Sequence, residues 1–288
     1  MIRFKVLETE VGQRIDITAV GHIDGISRSF VHKLLDQGKI TVNGQIKDAS
    51  DKLHIGDKVA IDYDPIDLDQ IPDIELPILY EDEDCLVIDK PIGVLTHSKG
   101  AFNPEATVAT FALSRVSDMN GERAGIVHRL DRATSGVMII AKNPAALAWL
   151  QKQFSQRKVK KTYAAVVNGV PEPAEAIIDM PIERNPKKPQ TFRVGANGKS
   201  ATTHYIVEKS GSKYSLIKLA PTTGRTHQLR VHLKKLGFPI VGDELYGGEV
   251  ADRLYLHALS LEITLPNKGR KVFESPLPKE FMAIVETS

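Results

Sequence analysis

Apolar positions make the first divisions of the chain. Phe30, Val31, Leu34 and Leu35 fall on one stripe of a helix that Ser27 can cap, that runs through Gln37 and that Gly38 ends. Ile40 and Val42 then alternate with polar neighbours and lead into Asn43-Gly44, the strongest short signal for a hairpin turn. Ile46, Leu53 and Ile55 follow, then a turn at Gly56-Asp57 and a strand from Lys58 to Tyr63. From Asp64 to Pro77 the text DPIDLDQIPDIELP has three prolines and no periodicity, which predicts a linker and a domain boundary. Beyond it, Val137 to Ala141 is an uninterrupted apolar run, expected as a strand buried on both faces. Asn143 and Pro144 open a helix with Leu147, Leu150 and Phe154 at helical spacing. Strands are expected at Tyr163–Val167, Thr203–Val207 and Tyr214–Leu219. A helix is expected from Thr226 to Leu236, with Leu229, Leu233 and Leu236 on one face and Gly237 after its end.

The 288 residues are 42% hydrophobic and 26% charged, an ordinary globular composition with material for about two domains. No stretch approaches about 18 uncharged apolar residues, so no membrane-spanning helix is expected. The opening MIRFKVLETEVGQR lacks the basic-then-apolar layout of a secretory signal. The single cysteine, Cys85, excludes a disulfide framework and a cysteine-based zinc site, and a reducing, cytoplasmic setting is expected. Charge is unevenly spread. Residues 1–90 carry 10 basic and 19 acidic side chains, whereas residues 91–288 carry 28 and 17. Such a basic body suits a polyanionic partner, although an excess of this size also occurs in proteins with none.

Three segments carry candidate chemistry. In GIVHRLDRATSGVMIIAK, residues 125–142, Asp131 stands between Arg129 and Arg132 just ahead of the buried strand, and cationic neighbours favour its carboxylate form. A surface ion pair would look the same. In TGRTHQLRVH, residues 223–232, His227 and Arg230 lie three apart on one helix face, so Arg230 can meet a carboxylate brought from elsewhere. A solvated basic face with His232 packed beneath it is the alternative. In KVKKTY, residues 158–163, basic residues precede a strand bearing Tyr163, which on residue type alone is more often a half-buried aromatic than a catalytic one.

Together these segments resemble known families. The helix–glycine–hairpin layout of residues 14–63, with Ser27-Arg28-Ser29, Gly38-Lys39-Ile40, Val42-Asn43-Gly44 and Gly56-Asp57, resembles the S-four RNA-binding domain. ILYEDEDCLVIDKPIGVLTH, HRLDRATSG, Lys161-Thr162-Tyr163, GRTHQLRVH, GDELYGG, RLYLHALSL and SPLP follow the order and rough spacing of the RluA-type pseudouridine synthases. The likeness spans about residues 78–284. A protein-kinase catalytic loop is rejected, because a leucine intrudes before the aspartate and the partner motifs are missing. A glycosidase is disfavoured because only Asp131 sits in a recognisable site.

The resemblance implies an α+β fold: a mixed, mostly antiparallel central sheet in the catalytic domain, preceded by a small α/β RNA-binding domain. The expected domains are residues 12–63 for RNA binding, 64–77 for the acidic linker and 78–288 for catalysis. It implies that Asp131 acts on the target uridine, attacking the ribose C1′ or removing a sugar proton. Tyr163 would pack on the base, and Arg230 would pair with Asp131. Arg129 would fill the space left by the displaced nucleotide, with His128, Arg132, Arg225 and His227 also contacting RNA. Arg28 and Lys39 would bind RNA from the first domain, in a basic face with Arg14, Lys33 and Lys47. No cofactor and no metal are expected for an isomerisation that moves neither electrons nor phosphoryl groups. The expected partner is RNA, large-subunit ribosomal first and transfer RNA second, with no membrane and a monomeric chain. A non-catalytic RNA-binding protein is the other reading; it would not need Asp131, Tyr163 and Arg230 together. Two departures from the family pattern stand out: Ala133, where many members have an acid, and the loosely matching segment 103–115.

Overall fold

The computed structural model describes residues 1–23, 26, 28–63, 73–97, 105–119 and 125–287. The Ser27 cap, most of the linker (64–72) and the first two residues of segment 103–115 lie outside them. The chain forms two compact units: Met1–Ile74 with His97–Thr110, and Glu75–Thr96 with Phe111–Ser288.

In the first unit, β1 (Ile2–Lys5), α1 (Ile15–Gly21), α2 (Arg28–Asp36), β2 (Ile40–Val42), β3 (Gln45–Ile46) and β4 (Lys58–Ile61) follow in order. The strands pair antiparallel in the order β1-β4-β2-β3. The expected hairpin forms with both turn residues left-handed, Asn43 at φ 53° and Gly44 at φ 80°. Asn43 also ties the turn down: Asp57 Oδ1 accepts from its amide at 2.8 Å, and its carbonyl oxygen accepts the Lys58 N–H at 2.9 Å. Val31, Leu34 and Leu35 of α2 meet Ile40, Val42, Val59 and Ile61 in one core, while Ile46 and Ile55 point to solvent. β1 and α1 were not legible in the apolar pattern. α1 is rich in β-branched residues, and it is held by burial of Ile15 and Ala19 rather than by propensity.

Asp16 of α1 is fully buried and gathers three partners: Arg14 Nε at 3.0 Å, Arg28 Nη2 at 2.8 Å and His32 Nε2 at 2.7 Å. Two members of the expected basic face, Arg14 and Arg28, are therefore committed to an internal carboxylate, which lowers the charge they offer outward. Lys33, Lys39 and Lys47 remain exposed.

In the second unit come β5 (Ile78–Glu81), β6 (Cys85–Lys90), β7 (Ser135–Ala141), α4 (Pro144–Ser155), β8 (Lys160–Asn168) and β9 (Glu175–Asp179). A short α3 (Val108–Leu113), capped reciprocally by Thr107 and Thr110, precedes β7 across the point where the two units divide. Then follow β10 (Ile182–Arg184), β11 (Phe192–Val194), β12 (Thr202–Ser210), β13 (Tyr214–Pro221), α5 (Gln228–Leu236), β14 (Leu256–Leu265), β15 (Gly269–Glu274) and α6 (Lys279–Glu286). Nine strands form one sheet, β5-β6-β7-β14-β8-β13-β12-β9, with β15 on β14; β10 and β11 pair apart. Only β7–β14 is parallel, so the sheet is mixed and mostly antiparallel, as the sequence implies.

β7 is buried at all seven positions, and Asn143 Oδ1 caps α4 by accepting the Ala146 N–H at 2.8 Å. Gly136 of the HRLDRATSG segment permits the parallel pairing: a Cβ there would stand 2.2 Å from Ala258 O. α5 starts at Gln228, two residues later than the periodicity suggests, because His227 takes a left-handed conformation at φ 55°.

The Asp16 cluster has a pH consequence. Hydrogen bonding to Arg14 first, and also to Arg28 and His32, holds its carboxyl well below the usual carboxylate range. A depressed folded pKa contributes stability above the unfolded value of about 3.9 and loses it as pH falls below that. The first unit is expected to weaken on going from about pH 5 to pH 3, and Asp16→Asn to flatten that dependence while weakening the unit at neutral pH. Urea titrations followed by the amide resonances of residues 15–61 read both effects; parallel pH curves for the two proteins would contradict them.

Candidate active site

The loop that bears Asp131 is braced from behind. Lys90, fully buried at the end of β6, donates from Nζ to the carbonyls of Pro91 and Val94 at 2.9 Å and of Arg132 at 3.3 Å. Gly93 N–H also donates to Arg132 O at 2.8 Å. On the other side of the aspartate, the Thr96 hydroxyl donates to Leu130 O at 2.8 Å and accepts the Leu130 N–H at 3.2 Å. Thr134 N–H closes a turn onto Asp131 O at 3.0 Å. The backbone on both sides of Asp131 is thus fixed by buried groups, and its side chain remains 22% exposed. Burial pushes the Lys90 ammonium down to about 8, with the Asp131 carboxylate opposing the shift.

α5 delivers the facing groups. Its first residue, Gln228, is buried and fully satisfied: its carbonyl accepts from Thr223 Oγ1 at 2.7 Å and Arg225 N at 3.0 Å. Its amide donates to Thr202 O and Thr203 Oγ1, each at 3.0 Å. Two residues on, Arg230 presents a bidentate fork to Asp243, Nε to Oδ2 at 2.8 Å and Nη2 to Oδ1 at 2.7 Å. The remaining Nη1 reaches Asp131 Oδ2 at 3.4 Å. The expected Arg230–Asp131 contact is present, but Asp243 is the closer partner and fixes the guanidinium plane. Burial works against the Arg230 charge, yet the hydrogen bonds and charge of Asp243, with Asp131 behind them, hold its pKa above the ordinary value.

His227 completes this side. Its Nε2 lies 3.7 Å from Asp131 Oδ2, and its Nδ1 is 2.8 Å from the Tyr246 hydroxyl, which also accepts the Phe192 N–H at 2.9 Å. Burial lowers the His227 pKa against the raising effect of Asp131 and Asp243, so the ring is neutral at physiological pH.

Asp131, Arg230, His227 and Tyr163 line one cleft of about 570 Å³. Tyr163 sits on β8 between Leu219 of β13 and Ala258 of β14. Burial, reinforced by the Asp131 carboxylate, raises its hydroxyl pKa, so it stays protonated. Arg129 and Arg225 line the same cleft. Arg129 and Arg132 are exposed, and Arg225 donates from Nε to Ser200 O at 3.0 Å. His128 also lines the cleft. Its Nε2 accepts the Ile139 N–H at 3.1 Å, its ring stacks on Phe154 at 4.7 Å, and burial with nearby Lys161 pushes its pKa down to about 3. It meets the cleft as a neutral ring that accepts a backbone N–H. Arg28 and Lys39 belong to the other unit, Arg28 on Asp16 and Lys39 exposed.

Asp243, Tyr246, Lys90 and Gln228 were not singled out by sequence reasoning. Asp243 and Tyr246 were visible only as members of the GDELYGG segment, and a lysine closing the apolar run CLVIDK was the visible sign for Lys90. Among the described residues no group of three or more His, Cys, Asp or Glu side chains is placed to hold a metal ion. A braced carboxylate, a guanidinium and a neutral aromatic hydroxyl around one cleft suit chemistry on a nucleoside drawn out of its stack.

Comparison with known proteins agrees. A family model described as RNA pseudouridylate synthase matches residues 84–235, and an S4 domain model matches residues 25–59. A ribosomal large subunit pseudouridine synthase D of Pseudomonas aeruginosa is 38% identical over 291 residues, covering 94% of this chain and 90% of the relative. An uncharacterized RNA pseudouridine synthase of Aquifex aeolicus is 37% identical over 305 residues, covering 99% of this chain and 96% of its own length. Among solved structures, human RNA pseudouridylate synthase domain containing 1 has a TM-score of 0.59 at 31% identity, covering 71% of this chain and 85% of that one. A family match across more than half the chain, with relatives aligned over nearly all of it, makes this chain a member of the RluA-type RNA pseudouridine synthases, isomerases of uridine in RNA.

Proposed function

We propose that the chain isomerises uridines of large-subunit ribosomal RNA, with Asp131 as the catalytic residue. The single observation behind the residue roles is the convergence of Asp131, Arg230 and Tyr163 on one cleft. In the reaction the N1–C1′ bond breaks, the uracil turns, a C5–C1′ bond forms, the C5 proton leaves and N1 gains one. Atoms and electrons balance without an added reactant. Asp131 starts this by attacking C1′ or by taking a sugar proton, with Arg230 orienting its carboxylate. Tyr163, protonated and half-buried, packs on the base. Arg129, exposed at the cleft, fills the gap left in the RNA, offsetting an unstacking cost of a few kcal/mol. The choice of ribosomal RNA is supported by the Pseudomonas aeruginosa relative and by the S4 domain. A ribosomal RNA substrate puts the reaction in the cytoplasm. No described helix is long and apolar enough to cross a membrane.

Pseudouridine mapping of ribosomal RNA, from cells lacking the gene and complemented with wild type or Asp131→Asn, tests the proposal. Wild type is expected to restore at least one large-subunit site. Asp131→Asn should give below about 1% of that conversion with RNA binding kept. Restoration only in transfer RNA, or by the variant, would sink it.

Asp243→Ala leaves the buried Arg230 guanidinium without its fork and is expected to destabilise the catalytic unit by about 3–5 kcal/mol. The urea midpoint, monitored by Trp149 fluorescence, reads this. Turnover should fall more than RNA affinity, since Arg230 then no longer orients Asp131; a stability change under about 1 kcal/mol would show that water replaces the carboxylate.

Replacing Lys33, Lys39 and Lys47 together by glutamine is expected to weaken RNA binding and to flatten its log–log salt dependence by roughly one unit for each phosphate no longer neutralised. Turnover at saturating RNA should be unchanged. An unaltered slope would remove these lysines from the RNA-binding face.

A further inference from the structure

Lys161 is a cation inside the cleft with no acid beside it. Its Nζ donates to Thr223 O at 3.1 Å, and among the described residues no carboxylate lies within ion-pair distance of it. An ammonium carries three donors, so two remain unspent. Neighbouring cations are matched differently: Lys160 meets Glu262 at 3.4 Å, and Arg230 meets Asp243 at 2.7 Å. Taking a charge out of water costs several kcal/mol unless a partner compensates, and burial alone drives the Lys161 pKa down to about 8. The neutral His128 ring beside it adds no negative charge. A cation in this condition is completed by whatever enters the cleft.

Position narrows what that is. Lys161 and Tyr163 are two residues apart on β8 and face the same cleft, about 7 Å from one another along the strand. With the base against Tyr163 and the ribose against Asp131, that step reaches the sugar–phosphate backbone of the same nucleotide. Phosphate is the only anionic group an RNA substrate carries.

We propose that Lys161 binds a phosphate flanking the target uridine, and so seats the extruded nucleotide with its C1′ at Asp131. This rests on the assignment of the cleft residues given above. Lys161 is then a substrate-binding residue, and its contact is charge-assisted and desolvated.

The test uses the full-length chain and a synthetic RNA hairpin containing a uridine that the wild type converts. The hairpin is made with all phosphodiesters, or with a neutral methylphosphonate on the 5′ or the 3′ side of that uridine. Dissociation constants and single-turnover rates are measured for wild type, Lys161→Met and Lys161→Arg. Lys161→Met should weaken binding of the phosphodiester RNA by about tenfold. On one of the two methylphosphonate RNAs it should cost nothing further, and Lys161→Arg should recover most of the affinity. If Lys161→Met does not fold, Lys161→Gln, which keeps a donor for Thr223 O, is carried through the same comparison. An equal loss on all three RNAs, which is what a purely structural link to Thr223 or a contact with the uracil carbonyls would give, overturns the inference. Failure of the underlying reading looks different: Asp131→Asn would still convert the hairpin, whatever Lys161 does.

Discussion

A guanidinium buried as deeply as that of Arg230, whose side chain is 10% exposed, has five donors and little water to take them. Its surroundings must supply the acceptors, and much of the cleft follows from that. Asp243 has to approach in the plane of the fork, so the segment 240–248 is drawn against α5. The backbone there is tight: a Cβ on Gly242 would stand 1.7 Å from Arg253 O, so only glycine fits. Tyr246, carried on the same segment, lies with its ring 5.0 Å from the guanidinium and its hydroxyl on His227. The fork leaves three N–H bonds over, two of them on Nη1, which faces Asp131 Oδ2 at 3.4 Å. A reactive carboxylate held this way faces a donor whose direction is set by a third residue.

The bracing behind Asp131 answers the opposite requirement. A reactive side chain must reach solvent, but a loose loop would cost it its aim. Lys90 and Thr96 resolve this by committing buried polar groups to the carbonyls of Arg132 and Leu130 and the N–H of Leu130. Directly after the loop comes β7, buried at every position, so the whole segment is anchored in the centre of the sheet. Burying a lysine in this way is unfavourable, and its three carbonyl partners offset the cost.

In the first unit the same electrostatic demand limits the surface. Asp16 needs cations because it is buried, and it takes Arg14 and Arg28 from a face that the sequence pattern assigns to RNA. The lysines at 33, 39 and 47 keep their charge for a partner outside. A basic residue near a nucleic-acid-binding motif is therefore not by itself a phosphate contact; the internal acids have first claim.

Local patterns were enough for much of this protein. Asn43-Gly44 dictates its turn because few other pairs accept two left-handed residues, and the run from Val137 to Ala141 becomes a buried strand because nothing polar interrupts it. Asn143-Pro144 starts α4 through one side-chain acceptor. The motifs around Asp131, Tyr163 and Arg230 marked the family, since their order along the chain is itself sequence. What sequence did not contain was who meets whom. Asp243 and Lys90 stood in the sequence only as members of longer motifs, and His128 only as an expected RNA contact. Their partners are set by packing: Arg230 for Asp243, Ile139 for His128, and Arg132 together with the nearby Pro91 and Val94 for Lys90. Burial decides whether a charge is kept, paired or suppressed, and burial is a property of the packed chain, set only when the sheet and α5 close around the cleft.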